Sequence, residues 1–148
     1  VSLAKDVVDA ITTDLNASAG LPSHSTIKYR RPRAILPDDC PLLIVWLQTK
    51  QPTPVETQNF DGEMSIGISW HVESVEEATT LVNDEATATA LIDALERIEG
   101  RIRHLAKNGL GVGAAWQVIP GESLYLPPEL AQGLNEGYAT EALVTVTE

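Results

Sequence analysis

Met64-Ser65-Ile66-Gly67-Ile68-Ser69-Trp70-His71-Val72 alternates apolar residues with small or polar ones, and farther on Leu91, Leu95, Ile98, Ile102 and Leu105 recur at steps of three and four. The first pattern puts Met64, Ile66, Ile68, Trp70 and Val72 on one face of a strand, and the second is one stripe of a helix. Each leaves an apolar surface that needs a cover, and the strand face and the helix stripe can cover each other. No catalytic motif lies between them.

Working toward the amino terminus, Leu42-Leu43-Ile44-Val45-Trp46-Leu47-Gln48 is nearly continuous in hydrophobicity and rich in strand-favouring residues. It reads as a central strand buried on both faces. Ile27 to Arg31 reads as a short strand stopped by Pro32, with Lys28 and Arg30 on its polar side. Leu3, Val7, Val8, Ile11 and Leu15 form a helical stripe ending near Ala17, with Ser2 as a candidate cap and Asp6 near the positive end of the dipole. Between the two main strands, Thr49 to Gly62 contains Pro52, Pro54 and Asp61-Gly62 and reads as a long polar connection of an extended hairpin. A connection of this length is either a surface loop or a functional one.

Toward the carboxyl terminus, a helical region starts near Val75, breaks near Asn83, resumes with Asn83 or Asp84 as its cap, and closes at Asn108-Gly109. Ala115 to Ile119 and Tyr138 to Thr147 read as the last two strands. The element order, helix, strand, hairpin, helix, strand, strand, predicts an α+β fold. It has a single mixed, largely antiparallel sheet of about four to five strands with helices packed on one face. The 148 residues are expected to form a single domain.

Composition narrows the function classes. The longest apolar run, Leu42 to Leu47, falls far short of the roughly 20 residues a spanning helix needs. The amino terminus has the pattern of an amphipathic helix instead of a secretion signal, which predicts a protein made and used without membrane crossing. One cysteine, Cys40, excludes an internal disulfide and a multi-cysteine zinc site, and is expected to pack as a small hydrophobe. The formal charge of −11 is polarised: eleven acids face only Arg97 between Glu56 and Glu99, whereas Lys28, Arg30, Arg31 and Arg33 crowd together. Sequence-specific DNA reading, which needs a basic face, is disfavoured. In a ring of copies an acidic lumen would let DNA pass without sticking, and the basic cluster would suit an acidic neighbour.

Local tests for chemistry are negative. His71-Val72-Glu73 has the first half of a zinc deaminase signature, but the paired Pro-Cys-x-x-Cys is missing. His71 and Glu73 are therefore expected on the exposed face of their strand. Gly109, Gly111 and Gly113 follow a helix and precede a strand, the reverse of a phosphate-binding loop. No nucleophile elbow accompanies the serines. Asp38-Asp39, after Pro37, reads as a turn.

The amphipathic first helix, Leu42-Leu43-Ile44-Val45-Trp46, Gly67-Ile68-Ser69-Trp70-His71-Val72 leading into an alanine-rich helix, and the closing Glu136-Gly137-Tyr138 together resemble a phage tail terminator of the long, non-contractile (siphophage) tail class. The resemblance implies a sheet flanked by helices on one side, assembled as a hexameric ring. Such a ring sits at the tail-neck junction of the virion, on the finished tail tube, where it stops growth and offers a surface to the head-side connector. It implies no cofactor and no catalytic or metal residues. Contact candidates, inferred from charge and loop length, are Arg30, Arg31 and Arg33 with Lys50, Glu56, Phe60 and Asp61. They would meet neighbouring copies or the major tail tube protein. The alternatives are another neck component, such as a head-completion or head-tail joining protein, and a small enzyme or ligand-binding domain with its pocket between the long connection and the sheet.

Overall fold

The computed structural model describes residues 3–52, 62–73, 81–111, 115–127 and 135–146. The elements are helix α1 (Leu3–Ser18), strands β1 (Ser25–Tyr29), β2 (Leu42–Pro52) and β3 (Gly62–Glu73), helix α2 (Leu81–Asn108), and strands β4 (Ala115–Pro120), β5 (Leu124–Leu126) and β6 (Asn135–Val146). They form an α+β fold with a mixed, six-stranded sheet of order β1-β2-β3-β6-β4, with β5 also paired to β6. Only β1 and β2 run parallel; β2, β3, β6, β4 and β5 meet antiparallel.

The alternating segment lies at the centre. β3 pairs with β2 from Leu42↔His71 to Pro52↔Gly62 and with β6 from Gly62↔Val146 to Glu73↔Asn135. Met64, Ile66, Ile68 and Trp70 are buried, as the alternation predicts, and join Leu43 and Val45 of β2 and Ala142 and Val144 of β6 in one cluster. Val7, Val8, Ile11 and Leu15 of α1 and Leu91, Ile98, Ile102 and Leu105 of α2 complete that cluster. Between the helices, Arg101 grips Asp14 with two hydrogen bonds, Nε to Oδ2 at 3.0 Å and a terminal guanidinium nitrogen to Oδ1 at 2.7 Å. This two-point geometry orients the helices more sharply than a single contact would.

Several boundaries differ from the sequence reading. β1 is Ser25–Tyr29, so Arg30 and Arg31 lie beyond it; Tyr29 has φ of 80°, which turns the chain off the sheet. β2 continues through Thr49 and Lys50, which pair with Ser65 and Met64. The polar residues read as loop thus belong to a strand whose outer half faces solvent, and the register shift at Leu47/Thr49 marks a bulge at Gln48. α2 runs unbroken past Asn83, since the alanines at 86, 88 and 90 sustain a helix without needing burial. The expected start near Val75 lies outside the described residues. At its end Gly109, with φ of 86°, donates its N–H to the Leu105 carbonyl at 2.8 Å, the cap read from Asn108-Gly109. β5, three residues long, is too short to show a period. β6 begins at Asn135 rather than Tyr138.

Trp70 is 2% exposed and meets the His24 ring edge-on at 5.0 Å. Trp70→Ala is expected to lower stability by about 3–5 kcal/mol in urea denaturation. A midpoint equal to that of the parent would contradict its place in the core.

Candidate functional site

The other face of β3 carries Ser65, Gly67, Ser69 and His71, and all four are buried. Two different covers account for this. Near the amino-terminal end of β2, the segment from Arg30 to Cys40 crosses the sheet as a strap: Ile35 joins Leu42 and Ile44 in a second cluster, with Ile27, Cys40 and Trp46 packed against it. Cys40 is half-buried there, as its reading as a small hydrophobe predicts. Asp38 and Asp39 lie in a 3-10 turn, where Asp39 Oδ2 accepts the Leu36 N–H at 3.2 Å.

Beneath the strap lies a polar network. The Ser69 hydroxyl is 2.9 Å from His71 Nε2, His71 Nδ1 is 3.0 Å from Asn135 Oδ1, and Asn135 Nδ2 donates to the Ile35 carbonyl at 3.4 Å. Because the amide nitrogen must face that carbonyl, its oxygen faces Nδ1, which donates. Burial lowers the His71 pKa to about 4, opposed by the bond to Asn135 and helped by the nearby Arg31 charge, so the ring is neutral near pH 7 and Nε2 accepts from the Ser69 hydroxyl. The expectation that His71 shares an exposed face with Glu73 is wrong for His71: Glu73 is exposed, but His71 is fully buried because the strap covers its position. Gly137, opposite His71 in the register, leaves room for the ring, since a Cβ there would lie 3.0 Å from Nδ1 and 2.2 Å from the Trp70 carbonyl oxygen.

Serine, histidine and asparagine thus stand in the order of a nucleophile, its base and an orienting group. All three side chains are sealed from solvent, so no substrate reaches Ser69 Oγ while the strap is seated. In this arrangement the network ties β3, β6 and the strap together.

The remaining half of this face is a groove of about 250 Å³ lined by Trp46, Gln48, Glu122, Leu124, Ala139 and Glu141 among others. Trp46 defines one wall. Its six-membered ring lies over Gly67, where a Cβ would come within 2.3 Å of it, so no larger residue fits opposite this tryptophan. The Arg31 guanidinium lies 5.1 Å from the indole centroid, a cation–π distance. Leu124, 60% exposed, forms the facing wall. Glu141 Oε2 accepts from the Ser65 hydroxyl at 3.1 Å, with Gln48 Oε1 3.3 Å from the same hydroxyl.

Of the sequence-derived contact candidates, Arg30, Arg31 and Arg33 are brought together on or beside the strap, all exposed. Lys50 is exposed on β2, four residues beyond Trp46 and so roughly 13 Å along the strand. Glu56, Phe60 and Asp61 lie outside the described residues. Lys28, grouped by sequence with the arginines, instead bonds Asp9 of α1 at 3.0 Å, and the Tyr29 hydroxyl bonds the same oxygen. The groove residues Glu122, Leu124, Ala139 and Glu141 escaped the sequence reading. Their only local signal was the short apolar run Leu124-Tyr125-Leu126 between Pro120-Gly121 and Pro127, which has no meaning until β5 is seated beside β6.

Among the described residues no group of three or more His, Cys, Asp or Glu side chains could hold a metal ion, and no helix is long and apolar enough to cross a membrane. No known protein family model matches the chain, and no curated protein matches it either.

The network gives a pH prediction. The folded-state pKa of His71 lies below its ordinary value of 6.5, so the unfolded chain takes up the proton first as pH falls. The contribution is intact above about pH 6.5 and shrinks toward pH 4, by roughly 3 kcal/mol in all. Urea midpoints at pH 7, 5.5 and 4 should follow that slope, and His71→Gln should be less stable at pH 7 with a flatter profile. An equal slope in the variant would assign the titration to other groups.

Proposed function

We propose that this chain is a structural virion protein that caps a completed phage tail tube as a homo-oligomeric ring, a hexamer by the family resemblance. In this role it stops tube polymerisation and provides the head-joining surface. Its partners are further copies of itself, the major tail tube protein and the head-side connector; DNA passes through the lumen without sequence-specific contact. No catalytic step or cofactor enters this role.

The observation that supports the reading best is an open sheet with two unlike edges. On one side β1 covers β2 only from Leu42 to Trp46, so among the described residues Leu47 to Pro52 have no strand partner on that side. On the other side the sheet ends in β4 and β5, both laid along β6. An unpaired edge is a template for another chain, and joining unlike edges is a heterologous contact, which closes into a ring when the rotation per copy divides a full turn. The apolar stripes of α1 and α2 join the core cluster of β3, and beyond the strap the opposite face is open as the groove between Trp46 and Leu124, a surface available for such contacts. The exposed acids Glu85, Asp93 and Glu96 on α2 fit a surface that repels passing DNA.

Tails assembled without this chain are expected to be overlong or irregular by negative-stain imaging, and re-expression should restore a uniform length. Normal-length tails would refute termination and move the role to head completion or out of virion assembly.

A further inference from the structure

We propose that the groove between Trp46 and Leu124 receives an arginine from the Arg30 to Arg33 segment of a second copy of this chain. The inference rests on the reading that copies assemble with one another, and it names the surfaces through which they meet.

The groove is chemically one-sided. Trp46, Leu124 and Ala139 give it apolar walls, Glu122 and Glu141 give it negative charge, and among the described residues no lysine or arginine lines it. Neither carboxylate takes part in an ion pair among the described residues; Glu141 is held only by the Ser65 hydroxyl. Such a site fits a flat cation on an apolar stem: the stem packs on the walls, and the guanidinium can bond a carboxylate at two points.

The same chain carries the matching group. Within the basic cluster Lys28 is paired to Asp9 and Arg31 rests against Trp46, whereas Arg30 and Arg33 are exposed and form no ion pair among the described residues. The molecule already uses both modes of recognition internally, Arg31 against an indole and Arg101 in a two-point grip on Asp14. Strap and groove are different patches, tiled along the strand direction on one face. Each copy can therefore give an arginine to one neighbour and accept one from another, the arrangement a closed ring requires.

The test is reciprocal charge exchange in the free protein, read by analytical ultracentrifugation up to about 1 mM with melting curves as the folding control. The unsubstituted chain should self-associate. Arg30→Glu with Arg33→Glu, and separately Glu122→Arg, should each weaken association by more than about tenfold, because like charges then meet at the contact. Mixing the two variants in equal amounts should restore association, since the acidic strap of one then meets the arginine placed in the groove of the other, and the unchanged arginines of the second meet the unchanged acidic groove of the first. That gain is something a misfolded variant does not give. A chain monomeric across the range, variants that associate like the parent, or a mixture that fails to recover would each overturn the contact. Failure here with overlong tails on deletion removes the groove contact and leaves tail capping in place; recovery here with normal tails does the reverse.

Discussion

The hydrogen-bonded ladder that holds Gly62–Glu73 between two longer-range partners fixes everything else in this molecule. With β2 on one side and β6 on the other, β3 has no free backbone along most of its length, so its side chains are committed to two opposite faces. One face carries Met64, Ile66, Ile68 and Trp70 and draws the apolar stripes of α1 and α2 into a common core. The other carries Ser65, Gly67, Ser69 and His71, small or polar residues that let other parts of the chain come close. A slip of one residue would exchange the two faces and lose both packings at once.

The second face explains how the surface is organised. Half of it is closed by the strap, whose Ile35 carbonyl is reached by Asn135 and whose apolar residues sit on Leu42 and Ile44. The other half is left as a groove because Trp46, lying over Gly67, fills the space beside the strap and goes no farther. Polar burial is tolerated under the strap because each buried group has a partner, and among the described residues no buried side-chain nitrogen or oxygen is unpaired. Among the described residues the sheet therefore presents an arginine-bearing strap, an acidic groove, and outer strands β1, β4 and β5 with no further strand partner.

Much of this architecture was legible in the sequence. The alternation at 64–72, the continuous run at 42–47 and the helical stripes named the core strands and the residues that fill the main cluster. The opposite face was misread at His71 for a definite reason: a polar residue at an outward position reads as solvent-exposed unless a distant segment covers it, and one strand's period carries no information about residues 30–40. The run Ser65, Gly67, Ser69 held the missed signal, since a face open to water has no need of such small side chains. The groove was less legible still. It joins β2 to β5 and β6 across nearly a hundred residues of sequence, and β5 is too short to announce itself.

The most direct test of the capping account is to add the purified chain to tail tube protein polymerising in vitro and to image the products by electron microscopy. The account predicts tubes that stop lengthening, each with one ring of added density at a single end. Tubes that grow to the same lengths as untreated ones, with bare ends, would contradict it.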